Sequence, residues 1–184
     1  MGKILVLFDS QSGNTAQMAQ YVGEGVERVE GMDLRLLSVD QAGKDDFVWC
    51  DGIAVGSPTN MGTVSWKLKK FFDEDLGPVW GQVDGKIGCA FSSAGGLGGG
   101  AELTCQTITN ILINFGFLVF GLPDYVDKTH TLHYGAVIAK APREEHAIKS
   151  CQLLGQRLAE WVSLYVDGRA EKHPLKTRKQ IVPD

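Results

Sequence analysis

The sequence lacks most motifs that mark a metal, thiol or hydrolytic enzyme. Its four cysteines lie far apart and form no CxxC pair. His130 and His133 share a predicted loop, but no carboxylate or cysteine joins them at ligand spacing, and His146 and His173 are distant. No GxSxG segment is present, which argues against a serine hydrolase. We therefore expect reduced core thiols and no metal.

Long apolar runs and basic clusters are also scarce. No segment reaches the length of a membrane span. The net charge is −4, from 22 acidic and 18 basic residues, so the basic face needed for nucleic-acid binding is missing. The apolar run at residues 4–8 ends at Asp9 and is too short for a signal peptide. These observations predict a cytoplasmic protein.

What is present is an alternation of apolar strand-length runs with helical periods. Residues 3–8 read KILVLF, which is typical of a strand buried on both faces. A helical period follows, and the pattern repeats about five times, which predicts a doubly wound parallel α/β sheet with helices on both faces. We expect a fifth strand at residues 117–120, a loop at 123–135 and a short extended piece at 135–139. One domain should span residues 1–167, and residues 168–184 should form a charged, flexible tail.

Three loops that follow predicted strands carry unusual sequence. The first loop (residues 9–15) reads DSQSGNT and supplies hydroxyls and a glycine ahead of a helix, where an anion is stabilised by free N–H groups. It lacks the GK[ST] ending of a Walker A motif. The alternative is a simple helix cap made by Ser12 or Asn14.

The second loop (residues 56–62) reads GSPTNMG, and the third loop (residues 91–100) reads FSSAGGLGGG. Both bring backbone within reach of a flat ligand, because glycine permits close approach. The alternatives are a connecting turn capped by Thr63 and a flexible hinge. Residues 96–101 match GxGxxG/A, but they follow the fourth strand and no ribose-binding acid comes after them, so a Rossmann site is not expected.

The first loop resembles the phosphate loop of flavodoxins, and the second and third loops resemble those of the WrbA-type NAD(P)H:quinone oxidoreductases. The resemblance covers residues 1–165 and implies a flavodoxin-like, five-stranded parallel sheet of order 2-1-3-4-5 that binds FMN. The implied FMN-binding residues are Ser10, Gln11, Ser12, Gly13, Asn14, Thr15, Pro58, Thr59, Asn60, Met61, Gly62, Ser92, Ser93, Ala94, Gly95, Gly96, Gly98 and Gly99.

The same resemblance implies a substrate side to the pocket. Trp80 would cap the flavin, and His133 or Tyr134 would reach its rim from a neighbouring subunit of a dimer or tetramer. The residues that differ from the family, Ser12, Asn60, Met61, Asn114 and Phe115, lie on the substrate and subunit-packing side.

Two functions follow from this pattern. The first is an enzyme in which FMN takes a hydride from NADH or NADPH and passes two electrons to a quinone or a similar acceptor. The alternative is a flavodoxin-type electron carrier without nicotinamide-dependent turnover. The mild net charge and the lack of an aromatic residue after Pro58 in the second loop and after Ser92 in the third loop favour the enzyme.

Overall fold

The computed structural model describes residues 1–177, apart from the side chain of Asp124. Its strands are β1 (Gly2–Phe8), β2 (Met32–Ser38), β3 (Gly52–Pro58), β4 (Ile87–Ala94), β5 (Leu118–Val119), β6 (Leu122–Tyr125), β7 (Thr131–Leu132) and β8 (Ala136–Ala139). Its α-helices are α1 (Asn14–Glu27), α2 (Lys44–Trp49), α3 (Trp66–Lys70), α4 (Ala101–Asn114), α5 (Glu145–Tyr165) and α6 (Pro174–Thr177). A π-helical turn, Phe71–Asp75, and a 3₁₀ turn, Gly77–Val79, follow α3.

The main sheet is parallel and has the order β2-β1-β3-β4-β5, as predicted. Its apolar strands are covered on both faces, which is why they read as continuous hydrophobic runs. Alternate residues of β1 divide between the two faces: Ile4 and Val6 pack with α1 and α5, whereas Leu5 and Leu7 pack with α2, α3 and α4. The sequence prediction of fold class and strand order is therefore confirmed.

The outer edge of this sheet differs from the expected single fifth strand. On the side of β4 away from β3, β5 pairs with the start of the strand, at Ile87 and Gly88, while β8 pairs with its far half, from Phe91 to Ala94. The segment between β5 and β8 leaves the sheet and forms the antiparallel hairpin β6–β7, where the sequence predicted a loop. We call residues 122–132 the hairpin insertion.

Glycines allow the chain to leave and rejoin the sheet. Gly135 has a φ of 124°, and a Cβ atom there would overlap the carbonyl oxygen of Ala90 in β4. A Cβ atom on Gly121 would likewise overlap the carbonyl oxygen of His133. Periodicity does not report such close backbone contacts, which is why the interrupted strand was not predicted.

The predicted C-terminal tail begins with residues that contact the domain. Asp167 accepts hydrogen bonds from the N-terminal ammonium group of Met1 and from the N–H of Gly2. Arg169 donates to the carbonyl oxygen of Glu30 at 2.7 Å, and the His173 ring meets the edge of Trp161. Residues 178–184 of the predicted tail lie outside the described part. Within residues 1–177, every helix is too short or too polar to cross a bilayer.

Candidate functional site

The three loops singled out in the sequence meet at one edge of the sheet. They follow β1, β3 and β4, which are neighbours and parallel, so their carboxyl ends lie side by side. The N–H of Asp9 donates to the carbonyl oxygen of Gly56 at 3.1 Å, and the N–H of Thr59 donates to that of Ser93 at 2.7 Å. Backbone hydrogen bonds therefore hold the three loops together.

The first loop leads into α1 without a side-chain cap. Gly13 adopts the left-handed conformation, with φ 84°, and its backbone carbonyl accepts from the N–H of Gln17. The Ser10 hydroxyl accepts from the N–H of Ala16 at 3.2 Å. Because the first N–H groups of a helix have no partner within it, those of Asn14 and Thr15, ahead of the one that Ser10 accepts, are available to an anion. Gln11 and Ser12 are exposed beside them.

A chain of hydroxyl contacts lies beneath the loop surface. The Oγ1 atom of Thr15 is 2.8 Å from the Oγ atom of Ser93, and both residues are buried. The Oγ1 atom of Thr59 is 3.1 Å from Ser92 Oγ and 2.9 Å from Thr104 Oγ1. Four predicted binding residues therefore contact one another in pairs, Thr15 with Ser93 and Thr59 with Ser92. These pairs join the loops below their exposed surface.

The second loop ends in a tight turn that presents an apolar side chain. The N–H of Asn60 donates to the carbonyl oxygen of Thr63, and the N–H of Thr63 donates back to that of Asn60. Between them, Met61 has a φ of 49° and Gly62 a φ of 85°. A left-handed conformation is unusual for Met and typical of strain held at a functional site. The Met61 side chain is fully exposed.

The third loop carries a second exposed apolar side chain. Residues 95–99 are exposed, and Leu97 at their centre is 94% exposed. Leu97 is not among the predicted site residues, although a lone Leu within a glycine run was the available signal. The cavity behind this loop measures only about 40 Å³, far below the roughly 300 Å³ or more of a typical ligand pocket. A flat ligand would therefore lie on the surface, beside the loops.

Most other predicted cofactor residues lie in or beside these loops. Asn14 begins α1, Pro58 ends β3 and Ala94 ends β4, while Gly96, Gly98 and Gly99 are exposed in the third loop. The Asn60 side-chain amide donates to Gln11 Oε1 at 3.5 Å, a long contact that links the first and second loops.

Of the predicted substrate residues, Trp80 lies away from this edge. Trp80 donates through Nε1 to the carbonyl oxygen of Asn114, at the opposite end of α4 from the third loop, about 20 Å away at 1.5 Å per residue. A larger groove beside Trp80 runs along α4 to Thr107, whose hydroxyl lies 3.5 Å from that of Thr63 at the end of the second-loop turn. His133 is held against the hairpin insertion, with Nδ1 3.2 Å from the carbonyl oxygen of Leu122, and Tyr134 is exposed.

Charge at the site is sparse. No Lys or Arg occurs in the three loops, so an anion would meet neutral donors and the positive end of α1. Asp9 is buried, and its Oδ2 atom has no hydrogen-bond donor among the described residues. Lys67 pairs with Asp40 at 2.9 Å, which raises the pKa of the Lys67 ammonium, and Asp9 adds a smaller effect in the same direction.

Comparison with known proteins identifies the family. The family model described as flavodoxin matches residues 6–129. A curated flavodoxin from Aquifex aeolicus (strain VF5) is 60% identical over 171 residues, which cover 93% of this chain and 92% of that protein. The chain belongs to the flavodoxin family.

Other flavodoxins match at greater distance. A flavodoxin from Clostridium saccharobutylicum is 30% identical over 164 residues, covering 87% of this chain and 97% of that protein. A solved structure of a flavodoxin from the domain Archaea has a TM-score of 0.71 and 28% identity, and it covers 88% of this chain and 99% of that one. Both matches extend over nearly the whole of the relatives.

Membership of the flavodoxin family corrects three sequence predictions. The identification as a WrbA-type protein, the assignment as an NAD(P)H:quinone oxidoreductase, and its classification as an enzyme are wrong, because the 60% identical relative is a flavodoxin. NADH or NADPH as a co-substrate is likewise unsupported. The physical reason is that a glycine-rich loop at a strand end indicates only that the backbone can come close to a ligand. An electron carrier and a reductase both require this, so the loop does not distinguish them.

Proposed function

We propose that the chain holds FMN non-covalently at the three loops and transfers electrons between partner proteins, without nicotinamide-dependent turnover of its own. The observation that carries this proposal is the match to a flavodoxin over nearly its whole length, at 60% identity. The convergence of the three loops at one sheet edge supports it. When bound, FMN would supply the redox chemistry, and the protein would orient it.

The donors of the first loop fit a phosphate group. The uncapped start of α1 and the neighbouring hydroxyls of Ser10 and Ser12 offer several hydrogen bonds to a dianion without a basic side chain. The buried Asp9 oxygen without a donor would be completed by a hydroxyl of the ligand and not by the phosphate, which has no proton to donate.

The exposed side chains of Met61 and Leu97 fit the faces of a flat ring. Large apolar side chains with exposures of 102% and 94% are costly unless something covers them. We propose that they contact the isoalloxazine ring where other carriers use aromatic residues. On this view the lack of an aromatic residue after Pro58 and after Ser92, which first favoured a reductase, carries no functional meaning.

A binding experiment tests the cofactor proposal. Apo-protein titrated with FMN should quench flavin fluorescence at one equivalent. Riboflavin, which lacks the phosphate, should bind about tenfold more weakly or worse, because hydrogen bonds to a charged group contribute about 1.5–3 kcal/mol each. Equal affinity for both flavins would refute the role given to the first loop, and no binding of either would refute the whole proposal.

A second experiment tests electron transfer against catalysis. Anaerobic addition of NADPH or NADH to the FMN-loaded protein should leave the flavin absorbance unchanged, and a separate flavodoxin reductase with NADPH should bleach it. A redox titration should resolve two one-electron steps. Rapid bleaching by a nicotinamide alone would overturn the carrier proposal.

The cellular compartment and the oligomeric state form a separate part of the proposal. The four cysteines are free and buried, which supports a reducing compartment such as the cytoplasm. The predicted dimer or tetramer was implied by the WrbA resemblance, which the flavodoxin match overturns. The oligomeric state is therefore a question for measurement. Sedimentation at several protein concentrations would decide it.

A further inference from the structure

Three side chains from two distant segments meet outside the cofactor site. Asp127 and His130 lie in the turn of the hairpin insertion, and His146 lies in the first turn of α5. One potential ligand atom from each lies within 4.8 Å of the others. The sequence predicted no metal set because His130 and His146 are 16 positions apart, and the hairpin insertion brings them together.

The two imidazoles lie face to face. The His130 and His146 rings are stacked, with centroids 3.8 Å apart and planes 24° apart. Each imidazole offers a ring nitrogen as a possible metal ligand. The stacking therefore places nitrogen ligands from two distant segments side by side.

The carboxylate of Asp127 is held in place before any ion binds. It accepts from the N–H of Thr129 at 2.7 Å and from the N–H of His130 at 2.9 Å. The same carboxylate lies 2.9 Å from His130 Nδ1, so the carboxylate and the imidazole are already neighbours. A preorganised carboxylate beside two imidazoles is a common ligand set for transition metals.

Surrounding charges favour a dication. Glu144 Oε2 lies 3.4 Å from His146 Nδ1 and adds a second carboxylate. It also offsets the positive end of α5, which would otherwise oppose a cation. The nearby ammonium group of Lys149 donates to the carbonyl oxygen of Val126 at 3.3 Å and so is directed to the hairpin backbone.

We propose that Asp127, His130 and His146 form a binding site for a divalent transition metal of the zinc type, which ties the hairpin insertion to α5. Zinc takes nitrogen and oxygen ligands at about 2.0–2.2 Å in a tetrahedral arrangement, so the three atoms must draw together by about 1 Å. The Asp127 and His130 side chains are 41% and 42% exposed, so no tight packing opposes this small shift. The same exposure leaves the fourth position open to water.

The test uses the full chain loaded with FMN and produced without a histidine tag. Isothermal titration with Zn²⁺ should give one site per chain and should raise the unfolding temperature, since the metal binds only the folded form. Hydrogen exchange of the hairpin amides should slow when zinc is present. His146→Gln and His130→Gln should each weaken zinc binding by about tenfold or more, and Asp127→Asn should weaken it as well.

His173→Gln is the matched control, because His173 lies outside the cluster and should leave the zinc affinity unchanged. Circular dichroism and the flavin spectrum establish that each variant is folded. A wild-type protein that binds no zinc, or a His146→Gln variant that binds it as tightly as the wild type, would overturn the proposal. In that case the cluster is only a stacked and hydrogen-bonded contact.

Discussion

The Oγ atoms of Thr15 and Ser93 lie 2.8 Å apart in a buried position, although 78 residues separate them in the chain. Thr15 belongs to the first turn of α1, and Ser93 lies near the end of β4. This contact fixes the first loop against the third loop from beneath. The proposed cofactor site is thus held together by the protein itself, which would reduce the entropy lost on binding.

Removing the hydroxyls of Thr15 and Ser93, singly and together, should show that their contributions to the free energy of unfolding are coupled. Thr15→Val or Ser93→Ala leaves the other hydroxyl buried without its partner, so each should lower the free energy of unfolding of the apo-protein by about 1–3 kcal/mol and weaken FMN binding. The double variant should cost less than the sum of the two, as a double-mutant cycle in urea would show. Thr63→Val, at an exposed position, should stay within about 0.5 kcal/mol of the wild type. Strict additivity of the two buried changes would refute the coupling.

The backbone conformation of Met61 should lower the stability of the apo-protein, whereas its side chain should strengthen FMN binding. Its left-handed backbone costs an L-residue about 1–2 kcal/mol, a cost that glycine escapes. Met61→Gly should therefore be about 1 kcal/mol more stable than Met61→Ala, while both bind FMN more weakly than the wild type because the ring contact is lost. Urea unfolding of the apo-proteins and FMN titrations measure the two effects. Equal stability of the two variants would show that the turn carries no strain.

Leu97 offers a separate check on the ring contact. Leu97→Ala should weaken FMN binding by roughly tenfold, since covering a large apolar side chain contributes about 1.5–3 kcal/mol. Ile113→Ala is the control, because Ile113 is 53% exposed near the far end of α4. Fluorescence titration compares the two, and a similar affinity in both variants would mean that Leu97 does not touch the flavin.

Helices α1 and α5 pack closely at Gly155. A Cβ atom there would overlap the carbonyl oxygen of Val22 and lie 3.1 Å from the backbone nitrogen of Val26. Gly155→Ala should thus force the helices apart and lower the free energy of unfolding by about 1–3 kcal/mol. At Gly77 an added Cβ meets open space, and Gly77→Ala should change little. Chemical denaturation of both variants distinguishes overpacking from a general effect of replacing glycine.

Stability should fall in alkaline solution because of the buried thiols. Burial raises the pKa of Cys50 from 9.0 to about 12, and it also raises the pKa of Cys89, Cys105 and Cys151. The unfolded chain loses these protons near pH 9 and the folded chain keeps them to about pH 12. The stabilisation is therefore full below pH 9 and declines as the pH rises through this window.

Each thiol contributes a slope of about 1.4 kcal/mol per pH unit, so four contribute about 5–6 kcal/mol per unit. Urea midpoints between about pH 9 and about pH 11 measure this slope. Cys151→Ala should reduce the slope by roughly a quarter. A midpoint that does not move with pH would contradict the prediction.

The sequence was sufficient for those features that depend on local pattern and chain handedness. Apolar runs such as residues 3–8 marked the strands, and the right-handed crossover placed the ends of β1, β3 and β4 side by side. Because ligands bind at such ends, the three loops could be assigned to one site before their contacts were known.

Finer distinctions depended on contacts between distant residues. The interrupted strand at β5 and β8, the exposed pair Met61 and Leu97, and the meeting of His130 with His146 all arise only when the chain is folded. The WrbA assignment failed for a related reason. The composition of a loop indicates how freely its backbone can bend, but it does not indicate which molecule donates or accepts the electrons. The amino-acid sequence by itself determined the sheet order and the edge at which the three loops meet. Only the tertiary structure decided which side chains meet there, because those pairings depend on packing across the whole domain.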